Sequence, residues 1–186
     1  MSETKKSLRE AVQSRLMAQS PVDRSKRSAA IEKKLWSLPE FQKAKLVFFF
    51  VSMAEEVETH GMIDRLLAEG RRVAVPRADL KTKQLIFYEI SDAQKQLKPG
   101  VYGILEPNPV LAKEVAAREA GCVIVPGVVF DKKKRRIGHG AGFYDRFLGQ
   151  MDAKIPKVGL AYSFQVMIHE VQQESHDVAL DEVITD

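Results

Sequence analysis

The sequence predicts an α/β fold with a mostly parallel central sheet. Short apolar runs, typical of buried strands, alternate along the 186 residues with segments that carry apolar side chains at helical spacing. The run Lys45–Val51 is almost continuously apolar, as expected of a strand that is covered on both faces. No repeat, low-complexity tract or linker divides the chain, so we expect one domain over residues 1–186.

Two helices are predicted before the first strand. Leu8, Val12 and Leu16 recur at helical spacing in the N-terminal segment. Ser20 followed by Pro21 is typical of an N-cap and a first helical residue, so a second helix is expected to begin there.

The remaining elements alternate after the first strand. A helix from about Thr59 to Glu69 is expected to end at Gly70, because glycine readily adopts the left-handed conformation of a helix end. Residues 98–103 hold one proline and two glycines, which predicts an irregular connection. Further strands are predicted at Arg72–Val75, Leu85–Ile90, Cys122–Val125 and Lys157–Tyr162.

The most informative segment for function is the glycine loop, Arg136–Asp145. Its three glycines stand at every second position, where they let backbone amides approach an anion closely. Arg136 can neutralise a phosphate, Asp145 can ligate a divalent cation, and a helix predicted from Gly142 to Met151 would add its positive end. The loop therefore indicates a nucleotide-phosphate site, or otherwise a tight turn with a solvated charge at each end.

A second polar segment is expected at the same edge of the sheet. Ligands of open α/β sheets bind beyond the carboxyl ends of the strands. The glycine loop comes after the predicted strand Cys122–Val125, and residues 52–59 come directly after Lys45–Val51. This acidic segment suits a polar substrate or a metal, or else complements a helix N-terminus, through Glu55, Glu56 and Glu58.

Composition narrows the class of protein. One cysteine, Cys122, allows no internal disulfide, and no apolar stretch has the length of a membrane span. The first residues lack the apolar core of a secretory signal, so we expect a cytoplasmic protein. Net charge is +4, and the basic run 132–136 has three interpretations: a nucleic-acid patch, a solvated loop, or a segment that steers polyanions. We interpret it as a loop.

Together these motifs closely resemble the 5-formyltetrahydrofolate cyclo-ligase family, also called methenyltetrahydrofolate synthetases. The glycine loop carries much of the resemblance, and the other matching segments occur in family order over almost the whole chain. They are Lys5–Arg9, Ser52–Thr59, Gly103–Pro107, Val125–Asp131, Gly159–Gln165 and His176–Thr185.

The resemblance implies a compact three-layer α/β domain and an ATP-dependent ring closure. The family converts 5-formyltetrahydrofolate to 5,10-methenyltetrahydrofolate, with ADP and phosphate as products and Mg²⁺ required. A formamide oxygen leaves poorly, so its phosphorylation creates a leaving group, and the folate N10 then attacks within the same molecule. The implied partners are small molecules, with no nucleic acid and no membrane, and the chain is expected to be a monomer. A preference for polyglutamylated folate stays open.

The resemblance also implies roles for residues at matching positions. Arg136 and Tyr144 would be catalytic, and Asp145 and Asp177 would ligate Mg²⁺. The substrate would contact Val51, Glu56, His139, Gly140, Ala141, Gly142 and Phe143. ATP would contact Lys5, Lys6, Ser7, Leu8, Arg9, Arg136, Ile137, Gly138, His139, Gly140, Ala141, Gly142, Phe143 and Tyr144.

Three residues of the glycine loop depart from the usual family pattern. His139 stands where an aromatic or basic residue is common, and Phe143 lacks the hydroxyl of a tyrosine. Ala141 replaces glycine or lysine and requires a negative φ. The departures leave room for an altered substrate preference. Two other classes are alternatives: a nucleic-acid-binding protein that uses residues 132–136, and a sugar-phosphate isomerase or acyl-transfer enzyme.

Overall fold

A computed structural model describes residues 4–174 and 177–186 of the chain. Its helices are α1 (Lys5–Met17), α2 (Pro21–Trp36), α3 (Pro39–Lys43), α4 (His60–Ala68), α5 (Ala93–Gln96) and α6 (Phe143–Leu148). Its strands are β1 (Leu46–Phe48), β2 (Arg72–Asp79), β3 (Gln84–Ile90), β4 (Leu97–Pro99), β5 (Leu105–Pro107), β6 (Lys113–Val115), β7 (Cys122–Val125), β8 (Val129–Asp131), β9 (Arg136–Ile137), β10 (Lys157–Ala161), β11 (Val166–Met167) and β12 (Glu182–Thr185).

The central sheet has seven strands in the order β12–β10–β7–β1–β2–β3–β6. The first five are mutually parallel, whereas β3 and β6 add antiparallel pairs at one edge. Two smaller sheets flank it, β11–β8–β9 and the hairpin β4–β5. The predicted α/β fold with a mostly parallel central sheet is therefore confirmed.

Helices cover both faces of this sheet. Successive residues of β1 point to opposite faces, so Val47 packs with the apolar sides of α1, α2 and α4, whereas Leu46 and Phe48 pack with Phe147 of α6. This three-layer arrangement explains why the central strands are apolar throughout. No helix in the described ranges is both long and apolar enough to span a bilayer.

Local sequence signals mark several of the observed boundaries. Ser20 is the N-cap of α2, and its Oγ accepts the Asp23 amide proton at 3.1 Å, with Pro21 as the first helical residue. Gly70 has φ +71° just beyond α4, in the left-handed conformation expected of it. The predicted strand Cys122–Val125 has the observed bounds of β7.

Other boundaries differ from the prediction. The apolar run from Lys45 forms a strand only over Leu46–Phe48; the Phe49 amide still donates to the Ala74 carbonyl, and the chain then leaves the sheet while staying buried to Val51. The predicted helix from Gly142 to Met151 is shorter at both ends, because Gly142, at φ +68°, is the N-cap of α6 and Gly149 is its C-cap. With six residues, α6 does not supply the positive helix end that was expected.

Residues 98–103 were wrongly expected to be wholly irregular. Leu97–Pro99 forms β4 and pairs with β5 in a hairpin whose turn contains Gly103 at φ +76°. Proline is tolerated there because the two-stranded ribbon has free edges.

Candidate functional site

A cavity of about 670 Å³ opens beyond the carboxyl ends of β1 and β7. Phe50, Val51, Met53 and Glu56 line it from the segment after β1, and Pro126 and Gly127 from the segment after β7. The glycine loop forms another wall over its entire length, Arg136–Asp145. The two segments that were expected at this edge therefore meet in one cavity.

The glycine loop begins in the β8–β9 hairpin and ends in α6. Gly140 and Gly142 adopt φ +102° and +68°, which only glycine adopts without strain. Positive φ among the described non-glycine residues occurs only at Lys83 and Lys134, so Ala141 has the negative φ that it requires. The amides of residues 140–142 make no hydrogen bond within the described ranges, which leaves them available to an anion.

Arg136 contributes a buried positive charge to the lining of the cavity. Its side chain is 3% exposed, and Nη2 donates to Asp145 Oδ1 at 2.8 Å. Burial lowers the pKa of this guanidinium, and the Asp145 carboxylate opposes that effect. Its Nε finds no acceptor among the described residues. A buried donor without a partner is costly unless a ligand satisfies it.

Tyr144 lies beside Arg136, with the guanidinium 5.8 Å from the ring centroid. Its hydroxyl is buried and has no hydrogen-bond partner in the described part of the chain. Burial raises the pKa of Tyr144 far above its ordinary value, so the hydroxyl remains protonated and acts as a hydrogen-bond donor. Arg136 and Tyr144, which both line the cavity, thus carry two buried donors, Nε and Oη, without an acceptor among the described residues.

Helix α1 contributes two further cations. Lys5 and Arg9 are four residues apart, so they share a helix face, and both line the cavity. Arg9 Nε donates to the Gly138 carbonyl at 2.9 Å, which ties α1 to the glycine loop. Burial disfavours the charged form of Lys5, but its 2.8 Å contacts with Asp177 and Glu174 raise its pKa overall.

The other three N-terminal residues predicted to contact ATP do not line the cavity. Lys6 is on another face of α1, with its side chain 81% exposed and 3.9 Å from Glu10. The Ser7 amide donates to the N-cap oxygen of Thr4, and Leu8 packs against the core. Only two of the five residues Lys5–Arg9 are positioned to contact a ligand there.

Glu56 projects into the cavity from the segment after β1. Its side chain is 11% exposed; Oε2 accepts the Met53 amide proton at 2.9 Å, and Oε1 lies 3.1 Å from His139 Nε2. His139, one of the departures from the family pattern, therefore contacts Glu56, the carboxylate that is predicted to bind the substrate. Val51 and Phe143 line the same cavity.

Asp145 and Asp177 both line the cavity, with side chains 14% and 11% exposed. No group of three potential metal ligands occurs among the described residues. Two carboxylates suit Mg²⁺ nevertheless, because nucleotide sites usually bind this ion through one or two carboxylates together with phosphate and water oxygens. His176, at the start of the matching segment that contains Asp177, lies outside the described residues.

The basic run 132–136 is largely paired with acids of the same protein. Its contacts are Lys133–Glu170, Lys134–Glu182, Arg135–Asp131 and Arg136–Asp145. A run whose charges are compensated in this way gives little support to a nucleic-acid patch.

Glu106 is one of several cavity residues to which the sequence assigned no role. Glu106 is 8% exposed, lines the cavity, and accepts the Ala78 amide proton at 3.1 Å. Pro76, Ala78 and Leu85 line the adjacent wall, on β2 and β3. Glu106 lies in a matching family segment, which is the signal that was present, but only strand register shows that these side chains face the cavity.

The model of the 5-formyltetrahydrofolate cyclo-ligase family matches residues 1–186. The chain belongs to this family. A probable 5-formyltetrahydrofolate cyclo-ligase of Schizosaccharomyces pombe is 30% identical over 171 residues, covering 85% of this chain and 83% of the relative. The 5-formyltetrahydrofolate cyclo-ligase of Mus musculus is 27% identical over 188 residues, with coverages of 97% and 92%.

Solved structures support the same assignment. The 5,10-methenyltetrahydrofolate synthetase of Mycoplasma pneumoniae superimposes with a TM-score of 0.79 at 25% identity over 99% of each chain. The Aquifex aeolicus enzyme gives 0.83 at 31% identity, over 97% of this chain and 88% of its own. This cyclo-ligase family member is accordingly an enzyme of folate metabolism, with 5-formyltetrahydrofolate cyclo-ligase activity.

Proposed function

We propose that this cyclo-ligase phosphorylates the formyl oxygen of 5-formyltetrahydrofolate with ATP and then closes the ring. The γ-phosphoryl group bonds to the formyl oxygen and ADP leaves. N10 then bonds to the formyl carbon and releases its proton to solvent, the carbon–oxygen bond breaks, and phosphate departs with formation of 5,10-methenyltetrahydrofolate. The observation that carries the proposal is that Arg136, the free loop amides and Glu56 line one cavity.

The phosphate end of the cavity would be the glycine loop with α1. The amides of residues 140–142 face a polyanion without first breaking protein hydrogen bonds. Lys5 and Arg9 add positive charge from one face of α1. Because Arg136 is 3% exposed, its charge acts on the transferred phosphoryl group with little screening by water.

The pterin end would lie at Glu56. The amino-pyrimidinone edge of a pterin offers paired N–H donors, which a carboxylate accepts well. Glu56 Oε2 is already held by the Met53 amide, and His139 lies 3.1 Å from Oε1, so both oxygens have fixed directions before the substrate arrives. Val51, 4% exposed, offers an apolar surface beside them.

Tyr144 would act as a donor at the transfer centre. Its protonated hydroxyl suits hydrogen bonding to the formyl oxygen or to the phosphoryl oxygens, and its high pKa argues against a role as a base. Arg136, Tyr144 and the glycine loop would together hold the reacting groups in a fixed arrangement, as ring closure requires.

Asp145 and Asp177 would hold Mg²⁺ together with the phosphates. Bound there, the ion would supply charge neutralisation of the polyphosphate. Each carboxylate is now paired with a cation, Asp145 with Arg136 and Asp177 with Lys5.

We also propose that the chain forms one domain and acts as a cytoplasmic monomer.

The test is near-ultraviolet absorbance of the purified protein with 5-formyltetrahydrofolate, ATP and Mg²⁺. We expect an ATP-dependent rise of the methenyl chromophore that is lost in Asp145→Ala and kept in Asp152→Ala, a matched change outside the cavity. A rise without ATP, or full activity of Asp145→Ala, would contradict the proposed chemistry. A flat trace from folded protein that binds ATP would contradict the proposed substrate.

A further inference from the structure

Two buried hydroxyls hold the backbone of the segment that carries Glu56. Tyr162 directly follows β10 and is 0% exposed, and Ser28 of α2 is 3% exposed. The Tyr162 Oη lies 2.9 Å from the Glu56 carbonyl oxygen and 3.1 Å from Ser28 Oγ. Ser28 Oγ lies in turn 3.0 Å from the Glu58 amide nitrogen. The two side chains thus bridge the two ends of the tripeptide 56–58.

The directions of these hydrogen bonds follow from the groups at each end. An amide only donates and a carbonyl only accepts. The Glu58 amide therefore donates to Ser28, the Ser28 hydroxyl donates to Tyr162, and the Tyr162 hydroxyl donates to the Glu56 carbonyl. Each of the three protons is donated once, so every hydrogen bond in this chain has a donor and an acceptor. Burial raises the pKa of Tyr162 to about 12, so its hydroxyl keeps its proton.

The rest of the segment is fixed by separate contacts. Ser52 and Thr59 exchange hydrogen bonds between side chain and backbone, with distances of 2.9 and 3.1 Å. These close the base of the segment but lie at least three residues from Glu56 in sequence. Among the described side chains, Tyr162 alone bonds to the backbone of Glu56, whose amide also donates to the Met53 carbonyl at 3.2 Å.

We propose that Tyr162 and Ser28 are positioning residues for the folate, acting through Glu56. They fix the backbone from which the carboxylate reaches the cavity, so that Oε1 keeps the direction needed for the pterin edge. This inference rests on the proposed role of Glu56. Displacing a group that binds the folate equally in the ground state and in the transition state raises KM for the folate and leaves kcat unchanged.

The test compares Michaelis constants for the two substrates. In Tyr162→Phe we expect KM for 5-formyltetrahydrofolate to rise about tenfold, as for loss of one buried hydrogen bond, while KM for ATP and kcat stay within about twofold. Ser28→Ala should act in the same direction. Leu160→Val, a buried change in β10 outside the hydroxyl chain, should lower the melting temperature without altering either KM.

A double-mutant cycle separates this inference from the role of Glu56 itself. We expect Glu56→Gln to raise the folate KM, and Tyr162→Phe to add less than about twofold in that background, because both changes disturb one contact. If Glu56→Gln raises the folate KM but Tyr162→Phe has no effect, or a fully additive one, the positioning role is overturned and the role of Glu56 stands. If Glu56→Gln leaves the folate KM unchanged, both fail.

Discussion

At the scale of single residues, the cavity depends on donors that have no protein partner. The described residues leave Arg136 Nε and the Tyr144 hydroxyl without acceptors, although both are buried. Natural interiors avoid such groups because each lost hydrogen bond costs about 1–3 kcal/mol. Their presence together identifies the place where a ligand oxygen would be bound.

Arg136→Lys should lower kcat/KM about 100-fold or more. Lysine keeps the charge but lacks the planar fork that reaches Asp145 and a phosphoryl oxygen together. Steady-state kinetics would measure this, with Arg135→Lys as the control, since the neighbouring arginine pairs with Asp131 and does not line the cavity. Equal losses in both variants would show that the effect is general rather than specific to Arg136.

Tyr144→Phe should separate stability from activity. Removing a buried hydroxyl without a partner is expected to raise the free energy of unfolding of the unliganded protein by up to about 1 kcal/mol. The same change should lower kcat about tenfold or more, because the donor at the transfer centre is lost. Chemical denaturation and turnover measured on one preparation would check both signs; a less stable variant with unchanged kcat would refute the assignment.

At the scale of elements, the glycine loop is shaped by its neighbours as much as by its own sequence. Arg9 of α1 holds the Gly138 carbonyl, and Arg146 of α6 donates to the carbonyls of Ala141 and Lys83. The loop is therefore connected to a helix on one side and to the β2–β3 hairpin on the other.

Gly142→Ala should destabilise the protein by about 1 kcal/mol or more and raise KM for ATP. Its φ is +68°, and a Cβ there would lie 2.9 Å from Arg146 Nη1. Gly61→Ala is the matched control: it lies in α4 with nothing within 4 Å of the added carbon, so it should stabilise by about 0.4–1 kcal/mol. Thermal unfolding would compare the two, and the same sign for both would contradict the explanation.

Apolar runs and turn residues predicted the positions of the helices and strands better than they predicted the lengths of these elements. The bounds of β7 were correct because Gly121 and Pro126 interrupt the apolar run on both sides. The strand predicted at Lys45–Val51 was too long, since apolarity reports burial, and Phe50 and Val51 are buried in the cavity wall rather than paired in the sheet. The predicted site residues converge at the cavity, except Lys6, Ser7 and Leu8. The contacts of Tyr162, Ser28 and Glu106 are tertiary, and no local pattern in the sequence predicts them.

At the scale of the whole molecule, the sheet core isolates the single cysteine from solvent. Cys122 in β7 is 0% exposed, and burial raises the pKa of its thiol from an ordinary value of 9.0 to about 12. Because the pKa of the thiol is higher in the folded protein than in the unfolded chain, protonation of the thiol stabilises the folded state. That contribution is complete below about pH 9 and is lost as the pH rises toward 12.

The thiol should not react with a disulfide reagent in the native protein at neutral pH and should react fully once the protein unfolds. Between pH 9 and 11 the free energy of unfolding should fall more steeply in the wild type than in Cys122→Ala. Denaturation at a series of pH values would measure the difference, and parallel curves would show that the thiol does not contribute.

Several charged side chains of the cavity are already paired with one another before any ligand arrives. Asp145 is paired with Arg136, and Lys5 with Asp177 and Glu174. Under the proposed roles, Arg136 and Lys5 would pair with phosphate, and Asp145 and Asp177 would bind Mg²⁺. A nucleotide without its metal would pair with the cations, and its negative oxygens would face Asp145 and Asp177. Under these roles the metal–nucleotide complex would satisfy both sets of charges, so the cavity would select a ligand that brings a cation and an anion together.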